Sequence, residues 1–164
     1  MKSFILSVLV SNHFGVLTRV TNLFSRRGYN IKSLAVGETE NPNLSRITIL
    51  TEGDARKGDQ IKKQLNKLED VKTSMDIPDE LLVSRELLLM KLNYSAENEE
   101  ALDAFLQEFG AKKLAKQSKS IIVELTETTQ KVDEFIEKAK PYGVMEVCRT
   151  GQVALANSNQ TIDA

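Results

Sequence analysis

The stretch Ser11-Asn12-His13-Phe14-Gly15-Val16-Leu17 is the part of this chain best suited to hold a small ligand. It turns from a strand-like segment into a helix, so the backbone N–H groups of Gly15, Val16 and Leu17 stand at the positive end of a helix dipole with no earlier turn to bond to. That arrangement suits a carboxylate, and glycine lets a ligand approach backbone that carries no Cβ. Every helix start needs a cap, however, and the pattern alone leaves the stretch open between a ligand cradle and an ordinary cap. His13 is the single histidine and Cys148 the single cysteine. A multi-histidine metal site and a disulfide within the chain are thereby excluded, and a catalytic triad has only His13 to build on. Cys148 follows the apolar run 144–147 and reads as a small buried hydrophobe. His13 reads as a solvated loop side chain, and Phe14 as a packing residue.

The elements that must position this turn follow from periodicity. Residues 4–10 alternate as a strand, with a second face that is also partly apolar and wants cover. From 16 to 27 the apolar positions Val16, Val20, Leu23 and Phe24 fall at helical spacing, with Arg26 and Arg27 in the last turn and Gly28 beyond it. Two strands, 31–36 and 44–51, are joined by Glu40-Asn41-Pro42-Asn43, a hairpin turn. A helix over 57–68 packs through Ile61, Leu65 and Leu68, and a strand over 71–77 ends at Pro78. The order β-α-β-β-α-β is that of a ferredoxin-like unit. It is repeated by strand 85–93, helix 96–109, strands 111–117 and 120–126, helix 129–139 and strand 144–150. The fold expectation is α+β with two ferredoxin-like βαββαβ units: residues 1–78, a linker at 79–83, a second unit at 84–157, and a polar tail at 158–164 that frays.

The 164 residues carry 22 lysines and arginines against 23 acidic residues, so no strong field exists to gather polyanions or an anionic membrane. Lys112, Lys113, Lys116 and Lys119 form a basic segment, but no tryptophan and no strand aromatics accompany them to stack bases. They read as a solvated edge that discourages strand pairing. Nucleic acid is not an expected partner. No run reaches the length of a membrane span, and the start of the chain has no room for a signal peptide, which points to a cytoplasmic protein.

The run Asn12-x-x-Gly15-Val16-Leu17-x-Arg19-Val20, continued by Leu23-Phe24-Ser25-x-Arg27-Gly28-Tyr29-Asn30-Ile31-x-Ser33-Leu34, resembles the acetolactate synthase small-subunit family. The resemblance continues through Pro42-x-Leu44-Ser45-Arg46-x-Thr48 and Gln60-Ile61-x-Lys63-Gln64-Leu65, and returns at Arg85-Glu86-Leu87 and Glu146-Val147-x-Arg149-Thr150-Gly151. It implies that the first unit is an ACT domain that pairs side by side with a second copy and binds a branched-chain amino acid, valine foremost, between the two. Asn12, Gly15, Val16 and Leu17 of one protomer would meet Asn30 and Ile31 of the other, with Arg46 a contact to a partner chain. His13 and Phe14 depart from the family pattern, which more often has acidic or small residues there.

The resemblance further implies a non-catalytic regulatory subunit that stimulates the catalytic (large) subunit and confers feedback inhibition. Thiamine diphosphate, magnesium and FAD would belong to that partner, with no cofactor in this chain. A stand-alone amino-acid-sensing ACT protein is the alternative; it would share the site but lack the match at Arg85-Glu86-Leu87 and Arg149-Thr150-Gly151. The cradle also predicts that Gly15→Asp blocks the effector while sparing the fold, provided position 15 has no need of a positive φ.

Overall fold

The computed structural model describes residues 2–53 and 55–162. Strand β1 (Lys2–Ser11) turns Leu6, Val8 and Val10 to one face, each at most 2 % exposed, because successive strand side chains point to opposite sides. Helix α1 (Val16–Arg26) lies on that face through Val16, Val20 and Phe24. It stops where Gly28 adopts φ 68°, the left-handed conformation that ends helices and that glycine adopts most easily. Strands β2 (Ile31–Glu38) and β3 (Leu44–Gly53), helix α2 (Ala55–Leu65) and strand β4 (Val71–Ile77) complete the set. Ile61 and Leu65 of α2 join Val20 and Phe24 in one core, each such side chain contributing about 1.5–3 kcal/mol by its burial. The antiparallel sheet has the order β2-β3-β1-β4.

The second unit repeats the plan with β5 (Leu82–Asn93), α3 (Glu99–Phe109), β6 (Lys112–Lys116), β7 (Ser120–Glu127), α4 (Thr129–Ala139) and β8 (Val144–Arg149). Its strand order, β6-β7-β5-β8, repeats that of the first sheet, with β5 in the place of β1. Phe105 of α3 stacks on Phe135 of α4 at 4.9 Å between ring centroids, over a floor of Leu88, Met90 and Leu92. The fold is therefore α+β with two ferredoxin-like βαββαβ units, as the element order predicts. Lys112, Lys113 and Lys116 of the basic segment lie on β6, an outer strand, where Lys113 pairs with Asp103 and Lys116 with Glu99, and Lys119 stands in the turn that follows.

Four expectations change. Residues 79–81 form a single 3-10 turn and β5 begins at Leu82, so 79–83 is no free linker. The units divide at Ser84 and Gly151, and the chain from residue 152 onward belongs to the first unit, not to a second unit ending at 157. There a short strand β9 (Val153–Ala156) buries Ala154 against Ile5 and Ile77. Ile162 is 7 % exposed, so the tail is held rather than frayed; its positions 163 and 164 lie outside the described residues. In the run Val153-Ala154-Leu155-Ala156 it is the small Ala154 that is buried while Val153 and Leu155 are exposed, so hydrophobicity alone does not betray this docking. Cys148 is exposed, not buried, because it faces Leu89 across an outer strand on the side away from the helices.

The motif residues Glu86 and Arg149 form an ion pair at the margin of the second core. Arg149 donates from Nε and Nη2 to the two oxygens of Glu86 at 2.8 and 2.9 Å, and from Nη1 to Asp133 of α4 at 2.8 Å. Burial pushes the Glu86 carboxyl up, but the hydrogen bonds and charge of Arg149 outweigh it and hold the group below its ordinary range. The guanidinium thus ties outer strand β8 to both β5 and α4 in a bidentate geometry that lysine does not reproduce. With Glu86 3 % exposed, its charge has no substitute partner in water. Arg149→Met is expected to cost about 2–3 kcal/mol, below the range for a fully buried pair because Arg149 is itself about one-third exposed. Urea denaturation checks this; an unchanged midpoint would contradict it.

Candidate functional site

The β1–α1 turn is built from the register of the sheet beneath it. Ser11 faces Leu44 at the end of the β1–β3 ladder, and Glu38 faces Ser45 across β2–β3, so the β2–β3 hairpin rises beside the turn. Asn12 closes the gap. Its backbone N–H donates to the Asn43 carbonyl at 2.7 Å, and its Nδ2 donates to Glu38 Oε1 at 3.0 Å and to the Pro42 carbonyl at 2.9 Å. Both side-chain donors are thereby used, and Oδ1 accepts no hydrogen bond among the described residues. The hairpin is itself pinned by Asn41, whose Oδ1 accepts from the Asn43 N–H at 3.0 Å.

Gly15 has φ 85° and caps α1 without any side-chain hydrogen bond to the first turn. The Val16 N–H reaches the His13 carbonyl only at 3.4 Å, a long and weak contact. The Val16 side chain is buried in the core, whereas Leu17 is 40 % exposed beside the turn. Position 15 therefore needs a positive φ, and an L-residue there costs about 1–2 kcal/mol. The proviso on Gly15→Asp fails for this reason: the substitution strains the fold as well as the cradle and separates nothing. A side chain at 15 would also start 3.5 Å from Nη1 of Arg19.

Asp70, in the turn between α2 and β4, holds the structure from below. Its backbone carbonyl accepts from Ser11 N–H at 2.8 Å, its Oδ1 lies 2.9 Å from His13 Nε2, and its Oδ2 accepts from Arg19 Nε at 2.5 Å. His13 is accordingly part of a cluster rather than a bystander. Phe14 is the reverse: expected to pack, it is fully exposed at the apex of the turn, because the positive φ at Gly15 turns the chain into α1 before Phe14 can reach the core. Nothing in sequence spacing announces Asp70, which stands 51 residues from Arg19. Glu38 and Arg19 were equally silent as site residues, although Arg19 lies within the quoted run.

Asn30 and Ile31 are elsewhere. Ile31 faces Thr51, whose Oγ1 donates to the Asn30 carbonyl at 2.7 Å, while Ser11 faces Leu44. Thr51 and Leu44 are seven residues apart on β3, which at about 3.3 Å per residue is about 23 Å. One chain does not bring the two halves of the expected site together. Both halves are open to solvent: the Asn12 and Asn30 side chains are exposed, and β2, which carries Ile31, is an outer strand. Arg46 is half-buried, with Nε donating to Ser7 Oγ at 2.7 Å on the helix-free face of the sheet. Among the described residues no group of three or more His, Cys, Asp or Glu side chains is arranged to hold a metal.

Hydrogen bonding by Arg19, aided by its charge and that of His13, holds the Asp70 carboxyl below its ordinary value of 3.8 against the opposing pull of burial. A depressed carboxyl stabilises the fold above its unfolded value and loses that contribution as pH falls through the folded one. The tie from Asp70 to α1 is thus expected to persist at pH 5 and to fail only below 3.8. Arg19→Met should move the Asp70 titration upward toward that ordinary value, as followed by carboxyl NMR; an unmoved midpoint would show that Arg19 is not its main partner.

Comparison with known proteins places these features in a family. Residues 6–73 match the model described as AHAS small subunit-like ACT domain, and residues 85–158 match that of the small subunit of acetolactate synthase. The chain is 38 % identical to the probable acetolactate synthase small subunit of Methanothermobacter thermautotrophicus, over 96 % of this chain and 95 % of that one. It is 38 % identical to the acetolactate synthase small subunit of Bacillus subtilis, over 95 % and 91 %. The crystal structure of the acetolactate synthase small subunit from Thermotoga maritima is similar throughout, with a TM-score of 0.91, 36 % identity, and coverage of 98 % of this chain and all of that one.

Proposed function

This chain belongs to the acetolactate synthase small-subunit family, and on that premise we propose that it stimulates the catalytic subunit and transmits feedback inhibition by valine or a related branched-chain amino acid. The effector occupies a site shared by two copies. Asn12, Gly15, Val16 and Leu17 come from one protomer and Asn30 and Ile31 from the other. Thiamine diphosphate, magnesium and FAD belong to the catalytic partner, and this chain takes no part in bond making. The location is cytoplasmic.

The observation that carries this reading is the state of Asn12. Its two donors are spent on Glu38 and Pro42, so its Oδ1 is left as an acceptor with fixed direction, and the Glu38 carboxylate stands beside it. Both features suit an ammonium group. The uncapped start of α1 nearby suits the carboxylate of the same molecule, and exposed Leu17 supplies an aliphatic wall. A stand-alone sensor is disfavoured by the second half, which matches the family model from 85 to 158.

Reconstitution tests the reading. The chain alone should turn over no pyruvate, should raise the activity of the catalytic subunit of its own organism, and should make that activity sensitive to valine. Asn12→Ala should weaken the valine response roughly 10- to 100-fold at unchanged stimulation, since a hydrogen bond to a charged group is worth about 1.5–3 kcal/mol. Pyruvate turnover by the chain alone, or a catalytic subunit indifferent to it, would overturn the assignment.

A further inference from the structure

The first sheet has a helix-free face, and residues 152–162 of the same chain run along it. Their attachment is uneven. At the near end the Gln152 N–H donates to Ser33 Oγ at 3.0 Å, Ala154 and Ala156 pack with Ile5, Ile77 and Leu50, and the Asn157 N–H donates to the Leu81 carbonyl at 2.7 Å. Residues 157–161 are then exposed. At the far end Ile162 is buried again, lining a cavity of about 290 Å³ with Leu9, Leu44 and Arg46 and with Thr39, Glu40 and Asn41 of the β2–β3 hairpin. Two alanines and one isoleucine bury few methyl groups. At about 0.8 kcal/mol for each buried methylene, such a segment can detach well below the free energy of global unfolding.

The hairpin that receives Ile162 is the one that holds Asn12. The Pro42 and Asn43 carbonyls accept from the Asn12 side chain and backbone, and the same turn is closed by Leu44 N–H donating to the Asn41 carbonyl and Thr39 N–H to that of Leu44. Ile162 and the base of the turn (Thr39, Glu40, Asn41 and Leu44) line one cavity, and Asn12 leans on the tip of that turn.

We propose that residues 152–162 are a releasable strap, anchored by Ile162, whose docking and the fixing of Asn12 are two readouts of one order–disorder equilibrium in the β2–β3 hairpin. Release of the strap loosens the hairpin and with it the Asn12 amide. Its regulatory consequence rests on Asn12 being an effector ligand: an effector bound at Asn12 then holds the strap down, and a docked strap raises effector affinity by the same factor, as linkage requires.

The test is hydrogen exchange on the full chain, comparing wild type with Ile162→Ser, which removes the aliphatic anchor near Leu9 and Leu44 without setting a carboxylate beside Arg46. Exchange at Gln152 and Asn157 is expected to quicken about tenfold or more, and the amides of Asn12, Thr39 and Leu44 to quicken with them, while those of Leu88 and Ile121 in the second core stay slow. Should those two core amides also quicken, the variant has unfolded more widely, and Ile162→Ala is read by the same criteria. Faster exchange at 152–157 with Asn12, Thr39 and Leu44 unchanged would reduce the strap to a passive cover and overturn the proposal. No change at 152–157 would do the same, since Ile162 then anchors nothing. Valine calorimetry on the same proteins forms a separate arm. Affinity about fivefold or more weaker in the variant is the expected coupling, and equal affinities with altered exchange would overturn the regulatory half. A wild-type chain that binds no branched-chain amino acid would instead sink the effector reading and leave the exchange result standing.

Discussion

Ser11 faces Leu44 and Lys2 faces Gly53 in an unbroken antiparallel ladder, and a slip of one residue would turn Leu6, Val8 and Val10 out of the core. Burial therefore locks β1 against β3, and that lock decides where every candidate ligand group can stand. It delivers the start of α1 to the end of the sheet where the β2–β3 hairpin rises, so that Asn12 meets Glu38, Pro42 and Asn43. The same register sends Asn30 to the opposite end, beside Thr51. A site that needs both asparagines is thereby a site for two chains. The outer position of β2 leaves an edge on which a second copy can lie.

Around the turn, the polar contacts are arranged to fix direction more than to add stability. Asn12 is oriented by three hydrogen bonds, and Asp70 joins Ser11, His13 and Arg19 from a turn remote in sequence. Exposed ion pairs of this kind contribute little to folding. Their effect is on geometry, holding the turn in one conformation, so that under the proposed function a ligand there would lose less ordering entropy on arrival. The left-handed step at Gly15 serves the same end: glycine takes it without strain, and it turns the chain abruptly from strand to helix and leaves the first helical amides uncapped.

Much of this was legible in the sequence, and the omissions have physical causes. Helices α1 and α4 and the alternation of β1 follow from periodicity because each has one strongly apolar face. The candidate residues on the β1–α1 turn are neighbours in the fold as they are in the sequence, since a helix start is a local feature that residue type announces. Asp70 and Glu38 were not legible in this way, because they reach the turn only through the folded register. The returning segment departs from the expectation that placed 152–157 in the second unit and 158–164 in a free tail, for the buried residues are the small Ala154 and, eight residues on, Ile162, while the larger Val153 and Leu155 are exposed. Phe14 and Cys148 were misplaced for a common reason: a side chain on a loop apex, or on the face of a strand turned away from the helices, has no core within reach, whatever its hydrophobicity.

Whether two copies share one effector site is tested most directly by mixing Asn12→Ala chains with Asn30→Ala chains, allowing protomers to exchange, and measuring valine binding by calorimetry. At valine concentrations that just fill the wild-type site neither variant alone should bind appreciably, each being weakened roughly 10- to 100-fold, but each mixed dimer should regain one intact site, formed by the native Asn12 of one chain and the native Asn30 of the other. Recovery of valine binding only in the mixture is the predicted result. If both variants remain folded and dimeric, exchange protomers, and still bind no valine when mixed, the two asparagines do not complete a common site between chains.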